Sequence, residues 1–240
     1  FNEDKLINIC KKASELGIEL FVLDDGWFGK RNNDKSSLGD WFVNTDKLPG
    51  SLKGLSEKVD KLGMSFGLWV EPEMISEDSD LFRKHPDWAL RIQGREMHEG
   101  RNQYVLDMGR DDVVAYLTDV FTAVLGSADI KYIKWDMNRN ISDANSAALP
   151  PNSQANAITA IYLAFMICWS VLYSVSLRFC LRAAAAVQEE TIPEYCIICR
   201  RIGEAIIQMQ WKECIYSTEP EWFIRQVQYA HMYRTYRIIK

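Results

Sequence analysis

The sequence predicts an α/β fold, a partial (β/α)8 TIM barrel, on three observations. Helix, strand and loop alternate three times between residues 4 and 136. Each strand runs into polar residues at its C-terminal end, where such barrels gather their active sites. A doubly wound sheet has a similar rhythm, but no glycine-rich phosphate loop follows any of these strands. Three readable strands cannot close an eight-stranded barrel, so only part of one is expected.

Leu6, Ile9, Cys10 and Ala13 lie at helical spacing within residues 4–16, and Gly17 follows as a stop. The apolar run Ile18-Glu19-Leu20-Phe21-Val22-Leu23 ends in Asp24-Asp25-Gly26-Trp27, a buried parallel strand with two acids at its end. Residues 30–50 are polar and turn-rich and read as a loop. Residues 52–62 are helical again, with Gly63 after them. Ser65-Phe66-Gly67-Leu68-Trp69-Val70 is the second strand, ending in Glu71-Pro72-Glu73. A polar loop containing Arg101 leads to Tyr104-Val105-Leu106-Asp107. Asp111-Asp112 opens a helix to about residue 125, its acids at the positive end of the dipole. Ile130-Lys131-Tyr132-Ile133-Lys134-Trp135-Asp136 is the third strand.

The chain has 240 residues, 48% hydrophobic and 25% charged, the balance of a globular domain or part of one. A net charge of -5 without a basic stripe argues against a nucleic-acid partner. No signal peptide opens the chain, and no apolar run reaches the ~18 residues of a membrane span. A cytoplasmic setting and no membrane partner are expected. Cys10 stands alone in the first 154 residues, and Cys168, Cys180, Cys196, Cys199 and Cys214 form no readable disulfide framework. The eight Trp are unusual; they suit either a sugar site or a core.

Lys134 and Asp136, two residues apart on a strand, point to one face, while Trp135 points to the other. A carboxylate beside a cation is held ionised, as a nucleophile must be. From these residue types alone, a solvated ion pair at a strand edge is the more ordinary reading. Asp24-Asp25 is a like-charge pair that sugar hydroxyls or a divalent metal would stabilise; an exposed acid followed by a helix cap is the alternative. Glu71 and Glu73 read as a second acid pair or as a turn around Pro72.

Four motifs occur in order: Phe21-Val22-Leu23-Asp24-Asp25-Gly26-Trp27-Phe28-Gly29, Gly39-Asp40-Trp41, Gly67-Leu68-Trp69-Val70-Glu71-Pro72-Glu73-Met74 and Lys134-Trp135-Asp136-Met137-Asn138-Arg139. Together they resemble glycoside hydrolase family 36, the microbial α-galactosidases, over about residues 1–154. The resemblance implies Asp136 as the nucleophile of a retaining mechanism. It implies Asp24 and Asp25 as ligands of the galactose O4 and O6 hydroxyls, and Trp69 as a wall of the sugar pocket. Arg101 and Lys134 become polar sugar contacts, and Asn138 lies near the 2-hydroxyl. No metal or cofactor is implied, which removes the metal reading of Asp24-Asp25. Family members carry an N-terminal β-domain, so the chain is expected to begin after the first barrel strand, with β-domain and later strands missing. Full-length relatives are implied to be homo-oligomers.

A retaining glycosidase needs a second carboxyl group as acid/base, roughly 5–5.5 Å from the nucleophile. In the family it follows a Cys-Ser-Gly-Gly-Gly-Gly run, in a Ser-Asp-Asn-Thr-Asp-type motif on a later strand. Neither is present in frame; Glu189, Glu190 and Glu194 lack matching context. After Gln154 the texture changes, with an apolar stretch at 160–179 and four consecutive Ala at 183–186. Read one frame over, alanine codons can hide glycine codons, so 183–186 fits the missing glycine run. Ile158-Thr159 can hide histidine, opening the family's next helix. Residues 202–209 permit Trp-x-Ser-Asp-Asn-Thr-Asp-Ala, with the missing Asp across Ala205 and Ile206. Residues 155–240 are therefore expected to be an out-of-frame tail, lacking an evolved hydrophobic pattern and packing poorly. Cys196-Ile197-Ile198-Cys199 then carries no zinc or redox meaning.

The expected activity is hydrolysis of terminal α-galactosides such as melibiose and raffinose, with this chain itself inactive for lack of the acid/base. A raffinose-type galactosyl transglycosylase and a non-catalytic galactoside-binding module are the alternatives. A cytosolic structural protein would leave the ordered motifs unexplained.

Overall fold

The computed structural model describes residues 1–137, 145–150, 152, 154 and 180–185, with residues 137 and 180–185 described by backbone alone. Helix α1, Glu3–Glu15, starts at Asn2, whose side chain accepts from the Lys5 N–H at 3.1 Å, with Glu3 and Asp4 in the first turn. It ends in a Schellman closure around Gly17 at φ 75°. The Ile18 N–H reaches the Ala13 carbonyl at 3.0 Å and the Gly17 N–H reaches Ser14 at 2.9 Å. Helix α2, Ser51–Asp60, ends the same way around Gly63, with Met64 bonded to Val59 and Gly63 to Asp60. Each closure feeds a strand: β1, Leu20–Leu23, and β2, Ser65–Val70. Both glycines predicted as stops occupy a backbone region that side chains with a Cβ disfavour.

A polar excursion follows β2. It contains the paired strands β3, Met74–Ile75, and β4, Tyr104–Val105, with helix α3, Asp80–Lys84, and a 3-10 turn, Pro86–Trp88, between them. Helix α4, Asp111–Gly126, buries Val113, Leu117, Phe121, Val124 and Leu125 on one stripe. It leads to β5, Tyr132–Met137. Strand β6, Cys180–Ala185, completes a sheet of order β1-β2-β5-β6 in which every pairing is parallel. Spatial order follows chain order, without the reversal that defines a doubly wound sheet. The architecture is an α/β fold on a parallel sheet, and among the described residues the sheet does not close.

The structure departs from the expectations in four places. β1 begins at Leu20 rather than residue 18, because the Schellman closure consumes Gly17 and Ile18. The β3–β4 pair and α3 were not foreseen. Two residues cap α3: Ser79 accepts from the Phe82 N–H at 3.0 Å, and the two carboxylate oxygens of Asp40, forty residues away in sequence, accept from the Asp80 and Leu81 N–H groups at 3.0 and 2.9 Å. β6 lies within the tail expected to pack poorly, yet it pairs with β5 along six positions, Cys180 with Tyr132 through Ala185 with Met137. A parallel ladder is made by backbone groups, so alanine can join it without a hydrophobic pattern. The Cys196–Cys199 pair, Glu189, Glu190, Glu194 and residues 202–209 lie outside the described residues.

The core is aromatic where it meets the strand ends. Trp27, Phe28, Trp41, Trp69 and Phe121 are all buried and form one cluster around Trp41, with Phe28 on Trp41 at 4.4 Å and Trp41 on Phe121 at 5.3 Å between ring centroids. Four of them come from the first three motifs, so those motifs build core as well as site. Gly39, at φ 100°, lies where an added Cβ would come within 2.9 Å of Leu81.

Candidate active site at the strand ends

The register assembles the site. Trp69 on β2 is the direct partner of Lys134 on β5, and Leu23, the last residue of β1, is the partner of Leu68. Asp24, Trp69 and Lys134 therefore stand at the C-terminal ends of three adjacent strands. Asp136 lies two residues beyond Lys134 and so on its face. The Trp69 indole N–H donates to Asp136 Oδ2 at 3.1 Å, and Lys134 Nζ donates to Asp24 Oδ2 at 3.0 Å. The other Asp24 oxygen accepts from the Asp25 N–H at 2.8 Å.

Trp69 is 3% exposed, its ring stacked parallel to Phe28 at 6.2 Å and tilted against Trp41 at 6.3 Å. Its contribution at the site is the N–H on Asp136. The ring lies against Phe28 and Trp41, while its N–H edge reaches Asp136. Its backbone is held in turn, since Trp27 Nε1 donates to the Trp69 carbonyl at 2.8 Å. Arg101 does not join the cluster. It sits at the tip of a tight hairpin, at φ 56°, between Gly100 and Gln103, which bond to each other in both directions at 3.1 Å. It is exposed and pairs with none of the described site carboxylates. Asn138 lies outside the described residues.

Sequence reasoning missed Arg31. Its guanidinium grips Asp25 through Nε, at 3.0 and 3.2 Å from the two carboxylate oxygens, and through a terminal nitrogen at 2.8 Å. A third donor reaches the Ser36 carbonyl at 2.9 Å. Lys47 ties the same loop down, donating to the Gly26 and Arg31 carbonyls at 2.9 and 2.5 Å, and burial holds its ammonium below the ordinary lysine range. The adjacent acids are thus each neutralised by a cation of the protein.

Behind β5, Trp135 points away from Asp136 and is buried; its Nε1 donates to Glu73 Oε2 at 2.7 Å. Glu71 and Glu73 are both buried, in a turn closed by the Met74 N–H on the Glu71 carbonyl. Burial, then the neighbouring Glu71, and further Asp136, push the Glu73 carboxyl well above its usual range. Glu73 is therefore a buried acid whose neutral form is favoured by its surroundings and which holds Trp135, and Pro72 marks a turn. Asp107, buried and pushed upward by desolvation, accepts from Ser146 Oγ at 2.7 Å.

Carboxylates and a lysine at the C-terminal ends of consecutive parallel strands stand where (β/α)-barrel enzymes place their active sites. The chain belongs to the Melibiase family, which it matches over residues 1–180. Within it the chain is a relative of the α-galactosidases of glycoside hydrolase family 36. It is 58% identical over 154 residues to alpha-galactosidase AgaA of Geobacillus stearothermophilus, covering 64% of this chain and 21% of that protein. It is 52% identical over 149 residues to the bifunctional alpha-galactosidase/sucrose kinase AgaSK of Mediterraneibacter gnavus, covering 62% and 16%. The crystal structure of AgaA in complex with raffinose superposes with a TM-score of 0.75 at 49% identity, over 77% of this chain and 26% of that one. The chain thus spans about a fifth of the length of the curated relatives it matches. The family match extends past residue 154, where the sequence resemblance stopped. No helix among the described residues is long and apolar enough to cross a membrane.

Proposed function

We propose that this chain carries the nucleophile half of a retaining α-galactosidase site acting on terminal α-galactosides of the raffinose and melibiose type. Asp136 attacks the anomeric carbon, Asp24, Asp25 and Lys134 hold the galactosyl hydroxyls, and Asn138 serves the 2-hydroxyl. Trp69 orients the nucleophile through its N–H. One observation carries the reading: Asp136, Trp69, Lys134 and Asp24 meet at the ends of three adjacent strands, joined by two hydrogen bonds. Raffinose in the AgaA complex supports the substrate class.

The acid/base carboxyl belongs to a later strand, and its codons lie out of frame in residues 155–240. Reading the encoding DNA one frame over that segment tests this directly: absence of the Ser-Asp-Asn-Thr-Asp motif there sinks it. Without a proton donor the chain turns over ordinary galactosides negligibly, since general acid–base catalysis is worth about 10²–10⁴-fold. The longer protein is a homo-oligomer.

The nucleophile is tested with α-galactosyl fluoride, whose leaving group needs no proton. An Asp136 oxygen bonds to the anomeric carbon, the carbon–fluorine bond breaks, and fluoride leaves with the electron pair. The expected result is a galactosyl ester on the peptide containing Asp136, found by mass spectrometry and lost in Asp136→Asn. An unlabelled wild-type chain, or a label elsewhere, refutes the assignment.

A further inference from the structure

Asp24 and Asp25 are neutralised in different ways. Lys134, with its side chain 32% exposed, places one ammonium on one oxygen of Asp24, a carboxylate 63% exposed. Arg31, with its side chain 4% exposed, spans both oxygens of Asp25 and is itself anchored on the Ser36 carbonyl. An ammonium is a point charge on a flexible stem and does not by itself set the plane of its partner; among the described residues the second Asp24 oxygen is held only by the Asp25 N–H at 2.8 Å. A guanidinium fork fixes the plane of the carboxylate it grips. Asp25 remains 38% exposed, so the lone pairs that the fork does not use are open to a ligand, and in one orientation only.

We propose that Arg31 is a positioning residue that sets sugar specificity, by fixing the plane in which Asp25 accepts hydroxyl hydrogen bonds. The inference rests on the reading of Asp24 and Asp25 as the galactose-binding pair. A carboxylate locked in one plane rewards a hydroxyl arriving along its free lone pair and penalises one displaced by epimerisation or removed. A rotating carboxylate follows whichever hydroxyl is present and discriminates less. Lys47 has a different part: its hydrogen bonds go to main-chain carbonyls of the same loop, it lies over the Phe1 ring, and it makes no hydrogen bond to the Asp25 carboxylate.

The experiment is a binding titration of the 240-residue chain, following the indole N–H resonances by NMR. The probes are D-galactose, its 4-epimer D-glucose, and 6-deoxy-D-galactose. Wild type is expected to prefer galactose over both. Arg31→Lys, which keeps the charge and removes the fork, should lose about tenfold of at least one preference, the size of one charge-assisted hydrogen bond. Arg31→Met should do the same; should it fail to fold, Arg31→Lys alone decides. Lys47→Met should weaken all three sugars alike, which separates loosening of the loop from loss of aim. Arg31→Lys with wild-type preferences, or weakened equally for all three sugars, overturns the inference while leaving the site reading intact. A wild-type chain that binds none of the sugars overturns the site reading itself, and the inference with it.

Discussion

Glu73 offers a sharp test of how the nucleophile strand is held. Its carboxyl is fully enclosed, accepts the Trp135 N–H at 2.7 Å, and is pushed upward chiefly by burial. A folded-state value above the unfolded one means that the native protein binds a proton the unfolded chain has released. The stability this acid contributes is fully present below about pH 4.5, the ordinary glutamate value, and is lost as pH rises toward the folded-state value. In that window one extra proton gives a slope of about 1.4 kcal/mol per pH unit, stability falling as pH rises. Glu73→Gln mimics the protonated acid, keeps an acceptor for Trp135 and removes the slope. Glu73→Leu removes the carboxyl oxygen that the Trp135 N–H bonds and should cost about 1–3 kcal/mol at every pH. Urea unfolding followed by tryptophan fluorescence from pH 5 to 8 measures both. The stability difference between Glu73→Gln and wild type should grow in favour of the variant with rising pH. A constant difference, or one that grows in favour of wild type, would refute the reasoning.

Two further substitutions follow from the same contacts. Asp40→Ala removes the acceptors of the Asp80 and Leu81 N–H groups, leaving Ser79 on Phe82, and should cost about 0.5–2 kcal/mol in urea unfolding while leaving sugar preferences unchanged. Trp69→Phe keeps a ring in the aromatic cluster and deletes the donor to Asp136; labelling by α-galactosyl fluoride should slow by about tenfold, while galactose binding changes less.

Much of the scaffold was legible because its signals are local. Gly17 and Gly63 mark helix ends through their own backbone preference, and residues 65–70 read as a strand and are one. The dipole-aligned acids of α4 announced its start at Asp111. What escaped depends on pairs distant in sequence or free of any period. Asp40 caps a helix forty positions away, and no rule of spacing links the two. Arg31 lies six residues after Asp25 in a loop, where a buried guanidinium and a solvated one have the same sequence context. The Lys134–Asp136 pair could be placed on one face from strand periodicity alone. That Lys134 would bond Asp24, and Trp69 Asp136, followed only once the register set β2 between β1 and β5. The angle of the Trp69 ring had no signal in the sequence either, because Phe28 and Trp41 set it.

Strand β5 is bonded along both edges, to β2 on one side and β6 on the other. Such a strand cannot drift gradually. Its smallest permitted slip is one residue, and that slip would turn Asp136 into the wall and swing Trp135 out in its place. Disturbance of the neighbouring ladders should therefore divide molecules into two populations, one with the carboxylate presented and one with an indole there, rather than leaving every molecule slightly misaligned.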